Sequence, residues 1–523
     1  MKLFRFLAFF LPGLLASTFP VLSFYSANIA ELSPIFLNNL LPVVIAASFV
    51  LSFMLLFLTR NQNKASLLAF ILSITFYSYG HLSRLFNDKL FIQLPNSLVI
   101  GPDKILLPLI IFMLTIGIFK ILKSKLDFSQ LILYINLALG VLIAYLAISS
   151  SNVHRQTATG EISDDTQQLN QAGVLDSPDI YHIILDGYAR EDVLREIYNY
   201  DNREFIQALE ELGFFVANRS RANYIHTHLS LPSTFNMTYL DFLAEKYGKN
   251  PSNEFAALDM MKDNEVSRKL KGYGYSTINF ATWWAGTDAG YPADISYNED
   301  KSFKLLGMDI ATSETNMVFL QTTLLSPLIK EVLGQALRGK VLYTLQKLPD
   351  IPYQSGKKYT LAHIITPHPP YLFNADGSVV PNYDAQTVDE GEDRRPLYLN
   401  QVTFISRQIL PILRSLIKNS PTPPIIILQS DHGPASLLGE RETWRSNYSS
   451  DAIFERSSIL YAVFLPDANY QDFSANSTPV NTYRIIFNRY FDTDYSLLTD
   501  KTYFTIYEKF YDFEDVTDFG IRP

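Results

Sequence analysis

The sequence predicts a bundle of five transmembrane helices followed by an α/β domain built on a mostly parallel sheet. Three observations carry that expectation. Five long apolar runs crowd the first 150 residues, a polar stretch follows them, and beyond it short β-rich runs alternate with amphipathic helical patterns.

A helix needs about 20 apolar residues to cross a bilayer, and five segments meet that length: Phe4–Tyr25, Leu40–Leu58, Leu67–Phe86, Ile105–Leu122 and Leu131–Ile148. The third is the least uniform, because Tyr77, Tyr79, His81 and Arg84 make its second half polar. Lys2 and Arg5 open the first run as they would a signal peptide, but four further spans favour a multi-pass anchor over a cleaved leader. Cationic residues cluster at the start of the first span, in the loop with Arg60 and Lys64, and at Lys120, Lys123 and Lys125. The loop after the first span carries Glu31 and no Lys or Arg, and the loop after the third offsets its cations with Asp88 and Asp103. Positive loops face the cytoplasm, so the amino terminus is expected there. An odd number of spans then delivers residues beyond 150 to the extracytoplasmic side of a plasma (inner) membrane. No acidic residue lies well inside a span, which argues against a proton or ion pathway. The bundle reads either as an anchor alone or as a partner in handling a lipid substrate.

The whole chain, at 523 residues, exceeds one ordinary domain. Its net charge of -9 and pI near 5.5 argue against a nucleic-acid partner, which would require a basic face. The absence of cysteine excludes disulfides, a thiolate nucleophile and thiolate metal sites. Any metal must be held by oxygen and imidazole.

Residues 1–150 are therefore expected to form the anchor, 151–178 a polar linker without periodicity, and 179–523 the soluble domain. In that domain Ile180–Leu185 reads as a buried strand and Glu204–Gly213 as a helix ending on glycine. YSTINFA, YTLAHIIT, PIIILQS and ILYAVFL read as further strands, followed by a helix over Val480–Tyr490. The region from about Asp467 onward reads as a closing helix and tail. In parallel sheets ligands bind beyond the carboxyl ends of the strands, so the strand exits are where chemistry is expected.

IIILQSDHG runs from an apolar strand straight into Asp431, His432 and Gly433, offering a carboxylate and an imidazole to one ion. IYHIILDGY leaves Asp186 at the equivalent place on another strand. Each is also explained by a turn former or helix cap; two exits of the same chemical type in one sheet carry more. In HTHLSLPSTFNMTYL, Thr227 opens a helix. The plain explanation is an N-cap. The chemical one is a hydroxyl at the positive end of a helix dipole, beside N–H groups that suit phosphate oxygens. In HIITPHPPY, His368 follows a strand and is held between prolines. Trp283 and Trp284, in NFATWWAGTDAGYPADISYN, are candidates to line a cleft, with core packing as the commoner explanation.

The ordered set ILDGYAR, THLSLPS, HPPY and SDHG, behind a five-span anchor, resembles the alkaline phosphatase superfamily, in particular its membrane-anchored sulfatase-like branch of lipoteichoic acid synthases and lipid A phosphoethanolamine transferases. The resemblance implies an alkaline-phosphatase-like α/β/α domain. It implies that Asp186, Thr227, Asp431 and His432 are metal ligands, with Thr227 also the nucleophile and His368 a contact to the phosphate of the substrate. It implies Zn²⁺ or Mn²⁺ as the cofactor, and three oxygens with one nitrogen suit either. The sequence departs from the pattern in three ways. Asp186 stands where the transferases carry glutamate, there are no disulfides, and Ser230, Leu231, Pro232 and Ser233 lead to Thr234 where a sulfatase signature has arginine. Ser230 is a rival nucleophile one helical turn after Thr227.

The function expected from this resemblance is transfer of a phosphate-linked headgroup, of phosphoglycerol or phosphoethanolamine type, from a lipid donor to a cell-envelope glycan, lipid or polymer through a phospho-threonine intermediate. A membrane-bound phosphodiesterase or sulfatase-like hydrolase uses the same site with water as acceptor. A non-catalytic binding domain is the third reading.

Overall fold

The computed structural model describes residues 2–27, 35–86, 92–93, 99–100, 102–157, 177–249, 255–299, 304–305, 308–309, 314–380, 394–439 and 443–520. It divides into two compact units, Met1–Asp165 with Thr315–Val332, and Thr166–Glu314 with Leu333–Pro523.

The first unit contains α1 (Lys2–Ala27), α2 (Ile35–Thr59), α3 (Gln62–Leu85), α4 (Pro102–Lys123) and α5 (Ser129–Thr157). All five are long and apolar enough to cross a membrane. α1 packs against α2, α3 and α5. Phe57, Phe112, Tyr134, Val141 and Tyr145 are each more than 60% exposed, as side chains facing lipid would be. α5 continues into the stretch expected as linker, and the remainder of that linker, 158–176, lies outside the described residues.

The polar half of α3 has specific partners. Tyr79 Oη and Ser83 Oγ donate to Asp103 Oδ1 at 2.8 and 2.6 Å. Residues 315–332 join this unit from far along the chain. Gly80 N–H donates to Thr322 O (2.9 Å), and Leu324 N–H donates to Phe76 O (2.7 Å). An unbroken helix would pair Phe76 O with Gly80 N–H, so the inserted segment bonds to two groups of one helical turn. Phe319 packs edge-on to Phe24 and Phe36.

The second unit is an α/β domain. Its strands are β1 (Ile180–Leu185), β2 (Phe215–Val216), β3 (Ser276–Phe280), β4 (Ile295–Tyr297), β5 (Lys358–Ile364), β6 (Ile425–Gln429) and β7 (Tyr461–Phe464), in the order β2-β7-β6-β1-β5-β3-β4. β6, β1, β5, β3 and β4 run parallel, while β7 runs against both β6 and β2. β1, β5 and β6 are buried along their whole length, which is why β1 and β6 read as mostly apolar runs. Arg203–Glu211 is the expected helix, and Gly213 takes φ +93° just beyond it. The helix expected over Val480–Tyr490 is Thr482–Tyr490 after one 3₁₀ turn.

The carboxyl-terminal segment differs from the expected tail. It is a hairpin of β8 (Tyr503–Ile506) and β9 (Lys509–Asp515). Tyr503, Phe510 and Tyr511 bury themselves with Tyr224, Leu229 and Leu240 around the helix α6 (Thr227–Asn236). Apolar burial on this scale, roughly 1.5–3 kcal/mol for each large side chain, fixes the helix that carries Thr227.

Candidate metal and phosphoryl site

Register decides where the chemistry sits. Leu185 of β1 pairs with Ile364 of β5, and Ile184 pairs with Gln429 of β6. Three adjacent parallel strands therefore end at one level and release Asp186, the 365–368 loop and Ser430–His432 side by side. Asp186 N–H donates to Ile364 O (3.0 Å), and His368 N–H donates to Asp186 O (2.9 Å), so the exits are stitched together. Gly187 turns the chain away at φ +73°, and its N–H donates to Asp431 Oδ1 at 3.2 Å.

Thr227 is the first residue of α6, and His226 is the N-cap, with no side-chain capping bond. The N-cap explanation of Thr227 is therefore off by one residue. The Thr227 hydroxyl meets His432 Nε2 at 3.0 Å. Ser230, one turn further on, is fully buried, and its Oγ makes no hydrogen bond among the described residues. Thr227 joins the cluster, whereas Ser230 is sealed within the helix packing.

His432 is aimed by its other nitrogen. Nδ1 lies 2.9 Å from Gly433 O and donates to it, which leaves Nε2 bare. Around Nε2 lie Thr227 Oγ1 (3.0 Å), Asp431 Oδ2 (3.3 Å) and Asp186 Oδ1 (3.7 Å). Both carboxylate oxygens are buried and have no hydrogen-bond partner among the described residues. Asp186, His368 and His432 each place a ligand atom within 4.8 Å of the others.

Burial and then the nearby Arg456 charge push the His432 imidazole well below its usual pKa, keeping it neutral as a metal ligand must be. Burial alone would raise the Asp186 carboxyl. His368 and the hydrogen bond from His363 outweigh it, and hold Asp186 below the usual carboxylate range. Burial, then the charge on Asp186, pushes Asp431 up to about 6. Two orphaned carboxylate oxygens, a bare imidazole nitrogen and a hydroxyl converging in a buried space fit a divalent cation. All five residues expected at the site are thus brought together.

The sequence reading missed the residues behind them. His363 Nε2 lies 3.0 Å from Asp186 Oδ2. Arg456 Nη1 donates to Gly433 O, the carbonyl that orients His432 (2.7 Å). His226 meets Thr505 O of the hairpin at 3.1 Å and stacks on Trp444. A histidine inside a wholly buried strand was the available signal, since such a group must find a partner. Trp283 and Trp284 are both buried; Trp284 Nε1 donates to His228 Nε2 at 3.3 Å.

The solved structures with which the chain aligns include phosphoethanolamine transferases and a putative sulfatase. The integral membrane lipooligosaccharide phosphoethanolamine transferase EptA of Neisseria meningitidis aligns at 12% identity over 92% of this chain and 95% of that one, with a TM-score of 0.41. The zinc complex of the periplasmic domain of EptC from Escherichia coli aligns at 12% identity over 61% and 84%, with a TM-score of 0.35. A putative sulfatase of Bacteroides fragilis aligns at 12% identity over 66% and 83%, with a TM-score of 0.37. At such identities and TM-scores these likenesses carry no argument about the chemistry of this chain. No family model matches the sequence, and no curated protein does.

Proposed function

We propose that this protein is a metal-dependent enzyme that moves a phosphate-linked headgroup from a lipid donor to a cell-envelope acceptor through a covalent phospho-threonine at Thr227. The observation that carries the reading is the convergence of the Thr227 hydroxyl with the unpaired oxygens of Asp186 and Asp431 around His432 Nε2. The ordered motifs that resemble the sulfatase-like branch agree with it.

Asp186, Asp431, His432 and Thr227 would hold Zn²⁺ or Mn²⁺. Such an ion, when bound, lowers the pKa of an adjacent hydroxyl and stabilises charge on phosphoryl oxygens. The Thr227 proton would leave to solvent, since His432 Nε2 and the Asp431 oxygen beside it would hold the ion. Its Oγ bonds to phosphorus as the bond from phosphorus to the diacylglycerol oxygen breaks. His368 contacts the phosphate or returns a proton to that leaving oxygen. The N–H groups of the first turn of α6 have no intrahelical partner and complement the phosphoryl charge. An acceptor hydroxyl then bonds to phosphorus as the Thr227 Oγ–P bond breaks. In this reading the bundle holds a catalytic domain, beginning near residue 179, at the extracytoplasmic headgroup surface. Water as acceptor would make the same site a hydrolase.

The test is peptide mass spectrometry of protein purified from its native membranes. A phosphorus-containing adduct on Thr227 is expected, absent in Thr227→Ala and retained in Ser230→Ala, and its mass names the group carried. An adduct on Ser230 with Thr227 unmodified would overturn the assignment of the nucleophile.

A further inference from the structure

We propose that Thr287 and His363 act as a positioning pair that fixes which oxygen of Asp186 is offered to a bound divalent ion. This inference rests on the metal-dependent reading above and deepens it.

A continuous line of buried polar groups leads to Asp186 from the loop after β3. Trp284 N–H donates to Thr282 Oγ1 (3.1 Å). Thr282 Oγ1 lies 2.9 Å from Thr287 Oγ1, and Thr287 Oγ1 lies 3.0 Å from His363 Nδ1. His363 Nε2 lies 3.0 Å from Asp186 Oδ2. His363 is 1% exposed and Thr287 0%, so water does not compete for these bonds.

The carboxylate end gives the line a direction. An ionised carboxylate can only accept, so a neutral His363 carries its proton on Nε2 and donates to Asp186. Its Nδ1 then accepts from the Thr287 hydroxyl, and Thr287 Oγ1 accepts from Thr282, whose hydroxyl also lies 3.4 Å from Trp284 O. The loop that presents Thr287 is itself closed, since Thr287 N–H donates to Trp284 O and Thr282 N–H donates to Thr287 O, both at 3.0 Å. The Trp284 ring stands edge-on to His363 and confines the imidazole.

The consequence falls on Asp186. Oδ2 is occupied by His363, and Oδ1, left without a partner, lies on the His432 side. Without the Thr287 hydroxyl, Nδ1 loses its donor and Asp186 alone holds the tautomer. An imidazole protonated on Nδ1 would set a lone pair against the Asp186 carboxylate and turn it from the site. Groups that orient a metal ligand in this way typically change affinity by 10–100-fold.

The experiment is calorimetric titration of Zn²⁺ alone, and of Mn²⁺ alone, into the full chain in detergent after chelation, with Asp431→Ala as the reference for loss of the site. Thr287→Val keeps the side-chain shape and removes the hydroxyl, and is expected to weaken binding about tenfold. Thr287→Ser restores the donor and is expected to bind as the wild type. His363→Leu is expected to lose up to about 100-fold, while His363→Gln, whose amide can donate to the same oxygen, recovers most of it. Should His363→Leu fail to fold, the Thr287 pair decides alone. Wild-type binding with Thr287→Val equally tight overturns this inference and leaves the metal reading standing. A wild type that takes up neither ion, like Asp431→Ala, overturns the metal reading and this inference with it.

Discussion

Substituting Gly433 by alanine should disable the site without touching a ligand. Gly433 sits where the exit of β6 runs against the end of the helix Ser450–Ser457. A methyl built there overlaps the Glu455 carbonyl oxygen and meets Arg456 O at 3.2 Å. Both obstacles are backbone, so neither can rotate away. The alternative is for the Gly433 strand exit to move, and that breaks Gly433 N–H to Arg456 O (2.7 Å) and displaces the carbonyl that receives His432 Nδ1 and Arg456 Nη1. Overpacking of this kind costs about 1–3 kcal/mol, which lowers a melting temperature by a few degrees in a domain of this size. Losing the carbonyl that orients a histidine ligand costs roughly 10–100-fold in metal affinity. Zn²⁺ titration by calorimetry and thermal unfolding with and without chelator read the two effects separately. A Gly433→Ala protein with unchanged affinity would refute the claim that this carbonyl aims His432. An unchanged melting temperature would refute the steric argument.

Two further outcomes follow from groups outside the site. Gly80→Ala should expel residues 321–324 from α3, because the added methyl overlaps Gln321 O and meets Thr322 Cα at 2.6 Å; limited proteolysis should then cleave near these residues, and an unchanged digest would contradict the insertion. His182, fully buried beside Tyr483 Oη (2.8 Å), is pushed down to about 3, mainly by burial. Its folded pKa lies below the unfolded value of about 6.5, so the unfolded chain takes up a proton first as pH falls. The stability this neutral imidazole gives is complete above about pH 6.5, and about 2 kcal/mol of it is gone by pH 5. The difference in melting temperature between wild type and His182→Gln should narrow over that range; parallel pH profiles would sink the argument.

The parts of this fold that were legible are those where burial imposes a pattern. β1 and β6 are covered on both faces, so they had to be mostly apolar runs, and the polar residues that close them mark the edge where Asp186, Asp431 and His432 emerge. The hairpin of β8 and β9 was hidden because Tyr507 and Glu508, which join its strands, are not the Asn-Gly type of turn that announces a hairpin. The segment 315–332 was hidden because its apolar residues suit a soluble core as well as a helical bundle; what places it is the notch at Gly80. His363 sits in a run that reads as strand, and only the register with β1 brings it to Asp186. The antiparallel direction of β7 left no mark either, since an apolar strand carries no sign of its direction.

What was least visible is the electrostatic state of the cluster, and it supports the cation most strongly. Asp186 and Asp431 both direct an oxygen toward His432 Nε2, at 3.7 and 3.3 Å, from sites with almost no water. Two like charges so placed repel, and burial penalises each one separately. The protein offsets this unequally: His363 and His368 favour the charge on Asp186, while Asp431 is pushed up to about 6 by burial and by Asp186 itself. A core that merely needed filling would carry apolar groups here, because unpaired buried polar atoms are costly and a packed hydrocarbon is not. A structural ion pair would set a fixed cation against the carboxylate, as Lys358 does for Asp179 at the other end of β5. At the exit of the same strands Asp186 Oδ1 and Asp431 Oδ2 are left without a hydrogen bond among the described residues, with the His432 imidazole turned toward both. One divalent ion removes the repulsion and satisfies both orphaned oxygens, the nitrogen and the Thr227 hydroxyl at once. No single protonation does the same, since a proton shared between the carboxylates leaves His432 Nε2 and Thr227 as they were.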